Sequence, residues 1–347
     1  MRISEGAITV DVPVQRAPSR SAPVFFNPVM KLNRDISVLF LNSLKRKLKC
    51  ADILAGSGVR ALRLMKECGV DVVANDANPN AVRSMKKNAR LNKLDLDISE
   101  KEANRFLLDS EGFDYIDIDP FGSPNPFLDV SVKRVSRNGY LGVTATDTSA
   151  LSGSHIKAGV RKYWGCPVKN GCMHETGMRL LVRKVQLIGA QYAKALTPVF
   201  CHASQHYYRV YFSCAKGKEK VDRILRQHQF VDFNKDFSID VSRQNSRRSA
   251  GPVWTGRLWN RPLVNRMLKC AEGEARDLLE VIRKEAAIPT VGFYDYYSMC
   301  SSLGRNVPDR ASFFSRIKKK GKKASETHFS YKGVRTDATV RQVLSSL

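Results

Sequence analysis

Along the first 215 residues, short apolar runs alternate with segments in which apolar residues recur every three or four positions. Short apolar runs bounded by turn residues predict strands at 51–54, 71–75, 113–119 and 140–146. Apolar positions three and four residues apart predict helices at 35–48, 59–67, 80–92 and 126–136. Elements that alternate at these lengths are typical of a parallel sheet with helices on both faces. The sequence therefore predicts an α/β fold, preceded by a short strand pair and a proline-punctuated arm in residues 1–30.

The pattern changes near residue 200, where a predicted helix at 175–196 is followed by two apolar runs, 199–203 and 207–214. Only three residues separate these runs, which is too few for a crossover helix, so the two strands should be antiparallel. A parallel sheet closed by an antiparallel hairpin is typical of a Rossmann-like methyltransferase rather than of a dehydrogenase. A charged segment follows the second run, and we expect an N-terminal domain over 1–215 and a C-terminal α+β domain over 216–347.

The amino-acid composition predicts the kind of partner that the protein binds. The 347 residues include 58 Lys and Arg but only 33 Asp and Glu, which gives a formal net charge of +25. A field of this strength favours a polyanionic partner, and nucleic acid is the usual one; a merely basic surface is the alternative. The sequence has no run of about 18 apolar residues and no signal-type N-terminus, so we expect a cytoplasmic protein without a membrane span.

Neither the cysteines nor the histidines have the spacing of a metal site. The eight cysteines are scattered and include no Cys-x-x-Cys pair, which favours free thiols in a reducing compartment. A disulfide between Cys166 and Cys172, which flank a short loop, is the alternative. His202 and His206 are four residues apart, but they flank the predicted hairpin rather than lying on a helix, so we interpret them as non-ligands.

The first candidate site follows the strand at 51–54, where residues 56–61 form the turn G-S-G-V-R-A. Small residues let the backbone approach a ligand closely, and both NAD and S-adenosylmethionine bind turns of this kind; a plain tight turn is the alternative. Asp76 ends the next strand, where a carboxylate can accept both ribose hydroxyls or can cap the following helix. Glu102 follows a weak strand at 96–99 and could reach an adenine amine.

The second candidate site is the Asp119-Pro120-Phe121 turn after the strand at 113–119. The exocyclic amine of a purine is a poor nucleophile because its lone pair is delocalised into the ring, so a transferase must orient the amine and accept its proton. A carboxylate beside a rigid proline can do this, and a following aromatic ring offers a stacking surface for an exposed base. An ordinary Asp-Pro turn is the alternative. We expect Asp117 to point away from Asp119 and to be less central.

Both turns follow parallel strands, so they should open into one crevice at the carboxyl edge of the sheet. A nucleoside-cofactor turn beside a turn suited to a planar amine predicts a methyltransferase that acts on the exocyclic nitrogen of a base. An NAD-dependent oxidoreductase would explain the glycine turn, but it would explain neither the charge nor residues 119–124. A catalytically silent RNA-binding protein or folding chaperone would explain only the charge.

Six separated motifs resemble those of one family, the tRNA guanine-N2 dimethyltransferases, which modify guanine 26 between the D-arm and the anticodon stem. Residues 21–28, S-A-P-V-F-F-N-P, are similar to the family's S-P-V-F-Y-N-P, and residues 119–124 match its D-P-F-G-S-P. The other matches are N-R-D at 33–35, L-G-V-T-A-T-D at 141–147, G-P-V-W-x-G at 251–256 and T-H-F-S at 327–330. The resemblance covers nearly the whole chain.

This resemblance implies S-adenosylmethionine as the methyl donor and tRNA as the substrate. The residues that it places at the cofactor are Arg34, Gly56, Ser57, Gly58, Arg60, Asp76, Ala77, Glu102 and Ala103. The residues that it places at the reacting guanine are Asp119, Pro120, Phe121 and Phe25. Many relatives have a Cys-x-x-Cys zinc site that this chain lacks, so no structural zinc is expected. Glu102 stands where the family usually has an aspartate.

Basic residues in clusters are the candidate tRNA contacts, against the alternatives of loop packing or a solvated lysine run. They are Arg161, Lys162, Arg247, Arg248, Lys318, Lys319 and Lys320. The sequence as a whole predicts a monomeric tRNA methyltransferase that transfers one or two methyl groups to the exocyclic N2 of guanine 26. In this hypothesis the C-terminal domain helps to hold the tRNA.

Overall fold

Alternating strands and helices dominate the first two thirds of the computed structural model, which describes residues 1–12, 24–204 and 206–347. The strands in chain order are β1 (Arg2–Glu5), β2 (Ile8–Asp11), β3 (Lys49–Asp52), β4 (Asp71–Asn75), β5 (Asp97–Ser99), β6 (Phe113–Ile118), β7 (Val135–Ala145), β8 (Lys194–Ser204), β9 (Tyr207–Lys216), β10 (His228–Phe233), β11 (Ile239–Ser242), β12 (Ser249–Trp254), β13 (Tyr294–Asp295), β14 (Ala324–Thr327) and β15 (Ser330–Thr336). The helices are α1 (Lys31–Leu44), α2 (Val59–Cys68), α3 (Pro79–Leu91), α4 (Ala103–Leu108), α5 (Asn125–Arg134), α6 (Thr148–Leu151), α7 (Ile156–Tyr163), α8 (Met173–Ala190), α9 (Lys218–Leu225), α10 (Arg261–Lys269), α11 (Gly273–Glu285), α12 (Tyr296–Ser302), α13 (Arg310–Lys319) and α14 (Val340–Leu344).

The strands from β3 to β9 form one seven-stranded sheet in the order β5-β4-β3-β6-β7-β9-β8. Neighbouring strands are parallel except where β9 pairs antiparallel with β7 and with β8. The predicted parallel sheet and its closing antiparallel hairpin are therefore confirmed. The chain moves outward from β3 to β5 and then returns to β6 on the other side of β3. Ligands of open α/β sheets bind at the carboxyl ends of the strands where the order reverses in this way.

Most observed bounds lie within a few residues of the predicted ones, but two helices end early for local reasons. Helix α1 ends at Leu44 rather than at 48, because Lys45 adopts a left-handed conformation with φ 53°. Helix α8 ends at Ala190 rather than at 196. There Ala193 turns the chain with φ 52°, and Leu196 is already a buried residue of β8. Apolar spacing alone did not reveal these left-handed residues.

The predicted N-terminal strand pair is present as the β1–β2 hairpin. Asn88 of α3 and Asn92, the C-cap of that helix, hold the hairpin in place. Asn88 Oδ1 accepts the backbone N–H of Asp11 at 2.7 Å, and Asn92 Oδ1 accepts that of Thr9 at 2.9 Å. Residues 13–23 lie outside the described residues, and so do the first three positions of the 21–28 motif and Gln205 in the predicted hairpin gap.

The apolar core extends from the sheet into the C-terminal half of the chain. Phe40 of α1 stacks on Tyr211 of β9, with ring centroids 4.3 Å apart. Val264 of α10 and Leu279 of α11 belong to the same buried cluster as Phe40. Beyond β9, the strands form two small antiparallel sheets, β11-β10-β12 and β13-β15-β14, and the second packs on its own apolar cluster around Phe313. The predicted domain boundary near 215 stays a prediction.

In the described part of the chain, no helix combines the length and the apolar character needed to cross a membrane. All eight cysteines are described, and each is a free thiol. Cys166 and Cys172 are therefore not joined in the structure, and the Cys172 thiol instead donates to the backbone oxygen of Phe293 at 3.0 Å.

Candidate active site

The glycine turn between β3 and α2 depends on two residues with positive φ, Gly56 at 54° and Gly58 at 79°. A β-carbon on Gly56 would stand 3.0 Å from the backbone oxygen of Phe25, and one on Gly58 would stand 2.9 Å from Cγ of Met85. Only glycine adopts these angles in this space without strain. Because these two positions have no side chain, the backbone of the turn can approach neighbouring atoms closely. A ligand-binding turn requires such close approach.

Asp76 lies directly after β4 and joins that strand end to the glycine turn. Its carboxylate accepts the backbone N–H groups of Gly56 and Asn78, each at 2.9 Å. The side chain of Asn78, rather than that of Asp76, caps α3. Of the two roles that the sequence left open for Asp76, helix capping is therefore excluded. Ala77 is exposed beside it.

Glu102 and Ala103 mark the start of α4. Glu102 is the N-cap, and its Oε2 accepts the backbone N–H of Arg105 at 3.0 Å, while Ala103 is buried. The exposed Glu102 carboxylate is thus engaged by its own helix. A contact of Glu102 and Ala103 with an adenine ring stays a prediction.

The turn after β6 is held by the end of the neighbouring strand β7. The backbone N–H of Gly122 donates to Thr146 Oγ1 at 2.6 Å, and that of Thr146 donates to the Gly122 oxygen at 2.9 Å. Pro120 is buried between these bonds and β6. Asp119 begins the turn, and its carboxylate forms an ion pair with Arg60 of α2. The two predicted turns are therefore joined by a salt bridge.

Phe25 and Phe121 close one side of the Asp119 turn. Their ring centroids are 4.3 Å apart and their planes meet at 72°, which is an edge-to-face contact. Phe121 is 42% exposed, whereas Phe25 is half-buried. The two rings therefore touch, and a role of either ring in stacking on a base stays a prediction.

The glycine turn, Asp76 and the Asp119 turn open into one cavity of about 630 Å³, which confirms the predicted crevice. Its lining includes Arg34, Gly56, Asp76, Asp119, Phe121 and Thr146. This volume is within the range of small-molecule and cofactor sites. A larger open groove of about 810 Å³ lies along β8 and α10, but none of the predicted site residues lines it. The smaller cavity is therefore the candidate active site.

A buried charge network lies beneath Asp119. Arg60 Nε is 3.5 Å from Asp117 Oδ1 while the same guanidinium pairs with Asp119. Arg209 of β9 donates to both oxygens of Asp117, at 3.1 and 2.5 Å. Burial lowers the pKa of Arg60, but the two carboxylates outweigh this effect and raise its pKa above the ordinary value. Arg60 is therefore always charged and orients the Asp119 carboxylate.

The expectation that Asp117 points away from Asp119 is wrong. Side chains two residues apart in a strand lie on the same face, and both carboxylates reach Arg60. Burial raises the pKa of Asp117, but Arg209 and Arg60 outweigh it and lower that pKa below the ordinary value. Asp117 is thus a fully buried anion that contacts both arginines under the turn, and together with Asp119 it balances their two charges.

Arg209 is a residue of this site that the sequence did not reveal. It reaches Asp117 across β7 at Gly142, where a β-carbon would collide with the Arg209 guanidinium and with the hydroxyl of Tyr115. Arg209 also donates to Thr144 Oγ1 at 2.9 Å. The glycine inside the L-G-V-T-A-T-D motif was the available signal, but only the strand order shows which side chain passes over it.

Asp52 is a second buried carboxylate near the cavity, and the sequence did not reveal it either. Within the described residues, Asp52 Oδ1, Ser57 Oγ and Asn33 Nδ2 have no hydrogen-bond partner. Asp52 and Ser57 line a small space of about 40 Å³ that also touches Arg60 and Asp119. Burial, with a smaller contribution from Asp117, raises the pKa of Asp52 to about 7.

Replacing Asp52 with asparagine is expected to flatten the pH dependence of stability. Asp52 ionises near 3.8 in the unfolded chain but at about 7 in the folded protein. Its contribution to the free energy of unfolding is therefore full below the first value and is lost as the pH rises toward the second, by about 1.4 kcal/mol per pH unit. Thermal denaturation of wild type, Asp52→Asn and the exposed control Asp95→Asn measures this. If the free energy of unfolding fell with pH equally steeply in wild type and Asp52→Asn, the raised pKa assigned to Asp52 would be wrong.

Arg34 lines the cavity, but its guanidinium already has protein partners. It donates to both carboxylate oxygens of Glu5 at 2.6 Å and to the backbone oxygen of Asn27 at 3.1 Å. This ion pair ties the N-terminal hairpin to α1 and to the arm that includes Phe25. A direct contact of Arg34 with a cofactor stays a prediction.

The first group of predicted tRNA contacts lies near the cavity and on the loop before β12. Arg161 and Lys162 are exposed at the end of α7, and Lys162 Nζ pairs with Asp147 at 3.0 Å. Arg247 and Arg248 are exposed on the loop before β12. These cations are accessible to a polyanion.

The three lysines at the end of α13 differ in their contacts. Lys318 and Lys319 are exposed. The Lys320 ammonium donates to the Gln342 oxygen at 3.0 Å and to the hydroxyls of Ser345 and Ser346 at 2.6 and 2.7 Å. All three donors of Lys320 are used at the end of α14, so we do not retain it as a phosphate contact.

Metal ligation has no support among the residues that the structure describes, since no group of three His, Cys, Asp or Glu side chains is placed to hold an ion. His202 is buried and its Nε2 lies 3.2 Å from the hydroxyl of Tyr207, while His206 lines the candidate active site. The expected lack of a structural zinc stays a prediction.

Comparison with known proteins identifies the family. The family model for N2,N2-dimethylguanosine tRNA methyltransferases matches residues 6–347. The chain belongs to this family. It is 37% identical to the tRNA (guanine(26)-N(2))-dimethyltransferase of Methanocaldococcus jannaschii, over 100% of this chain and 98% of the relative. It is 35% identical to the tRNA (guanine(26)-N(2)/guanine(27)-N(2))-dimethyltransferase of Aquifex aeolicus, over 99% and 95%.

Structural similarity agrees with this dimethylguanosine methyltransferase assignment. The structure of Trm1 from Pyrococcus horikoshii in complex with S-adenosyl-L-methionine matches with a TM-score of 0.92 and 30% identity, over 100% of this chain and 99% of that one. The family resemblance seen in the six motifs and the predicted Rossmann-like fold class are confirmed. Neither the family model and the two relatives nor the Pyrococcus structure supports an NAD-dependent oxidoreductase.

Proposed function

We propose that this protein transfers one or two methyl groups from S-adenosylmethionine to the exocyclic N2 of guanine 26 in tRNA. The observation that supports this most strongly is that the glycine turn, Asp76 and the Asp119 turn line one cavity in a dimethylguanosine methyltransferase chain. The Methanocaldococcus and Aquifex relatives are both named for guanine 26.

The residues around the glycine turn suit S-adenosylmethionine. Gly56 allows close backbone approach, and the half-buried Asp76 can accept ribose hydroxyls from the next strand end. The buried Ser57 hydroxyl, which is unpaired within the described residues, offers a further polar contact. We propose that Gly58, Arg34, Arg60, Ala77, Glu102 and Ala103 complete this binding surface. When bound there, S-adenosylmethionine supplies an electrophilic methyl group.

Asp119 is placed to orient the guanine amine. Its carboxylate accepts a hydrogen bond from one N2 hydrogen, which fixes the direction of the nitrogen lone pair and raises its electron density. Arg60 holds the carboxylate in place, while the buried Pro120 and the Gly122–Thr146 bonds hold the backbone of the turn. Phe121, with Phe25 behind it, offers a surface for the purine ring. Such preorganisation reduces the reorganisation needed during transfer.

The valence of the amine sets the number of turnovers at one guanine. As each new C–N bond forms, the bond between the methyl group and the donor sulfur breaks and S-adenosylhomocysteine is left. N2 loses one proton, which the Asp119 carboxylate accepts and passes to solvent. The monomethylated amine keeps one hydrogen and can therefore donate to Asp119 again. The dimethylated nitrogen has none, so the same mechanism ends there.

The positive charge of the chain is assigned to tRNA docking. We propose that Arg161, Lys162, Arg247, Arg248, Lys318 and Lys319, all of them exposed, contact phosphates. In this proposal residues 1–215 perform the chemistry and residues 216–347 help to hold the tRNA. We also propose a cytoplasmic monomer without a structural zinc.

Replacing Asp76 with alanine is expected to weaken cofactor binding roughly tenfold or more, because hydrogen bonds to a charged acceptor are lost. Isothermal titration with S-adenosylhomocysteine measures this directly, and the exposed Asp95→Ala serves as the control. An unchanged affinity in Asp76→Ala would remove Asp76 from the cofactor site.

The proposed function is tested by radiolabelled methyl transfer from S-adenosylmethionine to an unmodified tRNA transcript. The same transcript with adenine at position 26 is assayed beside it. We expect label on the first transcript and none on the second. Label on both would reject the position but keep the methyltransferase, and label on neither, with cofactor binding intact, would favour a silent RNA-binding protein.

A further inference from the structure

Helix α7 presents an apolar stripe to solvent. Ile156, Val160 and Trp164 are spaced four residues apart along this helix and its C-cap, and they are 48%, 45% and 48% exposed. The side of α7 next to this stripe is buried through Gly159 and Tyr163. Ile156 and Val160 share an exposed helix face and Trp164 follows at the C-cap, so the three large apolar side chains form a patch rather than single surface residues, and such patches mark interaction sites.

The rim of this α7 stripe is basic. Lys157 and Arg161 are exposed on the same helix. Lys184 of α8 places its ammonium over the Trp164 ring, 2.8 Å from the centroid, and Arg183 donates to the Trp164 backbone oxygen at 2.7 Å. Lys184 is buried and covers one face of the Trp164 ring, so the exposed cations beside the stripe are Lys157 and Arg161. An apolar stripe flanked by exposed cations matches a nucleic acid whose base faces are uncovered, since such a partner combines apolar rings with phosphates.

The α7 stripe is fastened to the catalytic turn. The hydroxyl of Tyr163 donates to Asp147 at 2.5 Å and lies 3.2 Å from Ser123, which lines the candidate active site. Asn125 Nδ2 donates to the backbone oxygen of Lys162 at 2.8 Å. The end of α7 therefore keeps a fixed position next to the loop that begins at Asp119.

The segment after α7 is also joined to the C-terminal half of the chain. Cys166 and Gly251 exchange backbone hydrogen bonds at 2.7 and 2.8 Å. Gly251 belongs to β12, and the loop before that strand includes Arg247 and Arg248. The segment that ends the stripe is thus hydrogen-bonded both to the loop after Asp119 and to the strand that follows the Arg247–Arg248 loop.

We propose that the α7 stripe packs against the tRNA bases beside the target guanine, which lose a stacking neighbour when that guanine enters the active site. This rests on the proposed function. Trp164 stacks on an uncovered base, while Ile156 and Val160 fill the space beside it. Apolar wedges and aromatic rings are the side chains that proteins use to stabilise unstacked bases. The stripe therefore favours the tRNA conformation in which guanine N2 reaches Asp119.

The test compares two variants that remove the large apolar side chains of the stripe with a matched control. The stripe variants are Ile156→Ser/Val160→Ser and Trp164→Ala, and the control is Leu303→Ser/Val307→Ser, which changes two residues that are 42% and 41% exposed elsewhere. Thermal denaturation and S-adenosylhomocysteine binding establish that each variant is folded. The first readout is kcat/KM for methyl transfer to the tRNA transcript, where we expect a loss of roughly tenfold in each stripe variant and no change in the control.

Two further readouts separate this role from general damage. A transcript with 2-aminopurine beside the target reports unstacking by fluorescence on binding, and this signal should be lost in the stripe variants whether or not methyl transfer occurs. A second transcript, whose target guanine has no opposing nucleotide base, should restore most of the lost kcat/KM. Unchanged fluorescence and activity would overturn the proposal, and so would an equal activity loss on both transcripts. If wild type methylates no transcript, the proposed function fails and the fluorescence decides the inference alone.

Discussion

Replacing Asp119 with alanine is expected to lower kcat for methyl transfer by about 10²–10⁴-fold, because the side chain that orients and deprotonates the amine is lost. The cofactor surface lies on the other turn, so S-adenosylhomocysteine affinity should stay close to that of wild type. The fold should also persist, since Arg60 keeps its contact with Asp117 at 3.5 Å and its hydrogen bonds to Asn33 and Ser37 at 3.1 and 2.6 Å. Single-turnover methyl transfer with saturating tRNA measures the effect on the chemical step.

Two variants sharpen this prediction. Asp119→Asn keeps the shape of the side chain and one acceptor oxygen, so its activity should lie between those of wild type and Asp119→Ala. Asp277→Ala removes an exposed carboxylate of α11 and should have no effect. Full activity of Asp119→Ala would show that another group handles the amine, and a parallel loss of cofactor binding would show that Asp119 is structural.

The second large effect is expected from Arg335→Met, which breaks a buried ion network between the two halves of the chain. Arg335 of β15 donates to Glu175 of α8 at 2.5 Å and to Glu285 of α11 at 3.2 Å, and all three side chains are fully buried. Removing the shared cation leaves carboxylates without full compensation, which typically costs about 3–5 kcal/mol in the free energy of unfolding. Chemical denaturation measures this loss.

The charge of Glu175 gives this network a definite pH dependence. Burial raises its pKa, but Arg335 and Arg179 outweigh that effect and lower the pKa from 4.5 to about 2. The stabilisation is therefore present above the unfolded value and is lost as the pH falls from 4.5 toward about 2. Arg335→Met should accordingly lose most of its stability deficit in acid.

An exposed pair provides the control for the Arg335 prediction. Glu280 and Arg283 form an i,i+3 ion pair on the surface of α11, with their closest atoms 2.9 Å apart. Glu280→Gln should leave the denaturation midpoint unchanged, because exposed pairs contribute little. If Arg335→Met and Glu280→Gln had equal midpoints, the buried network would not be what stabilises the contact between α8, α11 and β15.

Local sequence pattern predicted the sheet well because its central strands are short, mostly apolar segments between turn residues, as in β6, where five of the six residues are buried. The same pattern singled out the Asp119 turn, and the structure brings this turn into one cavity with the glycine turn. The glycine turn and Asp76 were found as well, but NAD and S-adenosylmethionine bind similar turns, so pattern alone could not choose between them.

The residues that the sequence did not reveal depend on long-range geometry. Arg209 and Asp117 are 92 positions apart, and they meet only because β9 inserts beside β7 in the sheet. Asp52 became notable only through its complete burial without a partner for Oδ1 in the described residues. Lys320 was assigned to a basic run, whereas its donors are satisfied by a helix end more than 20 residues later. Strand order and burial, rather than local spacing, decide these roles.

The central claim is that the acceptor atom is the exocyclic N2 beside Asp119. Its most direct test is radiolabelled methyl transfer to a transcript in which guanine 26 is replaced by inosine, which lacks only the 2-amino group. We predict that this transcript binds and competes with the guanine transcript but takes up no methyl group. Label on the inosine transcript at the level of the guanine transcript would show that another atom is the acceptor.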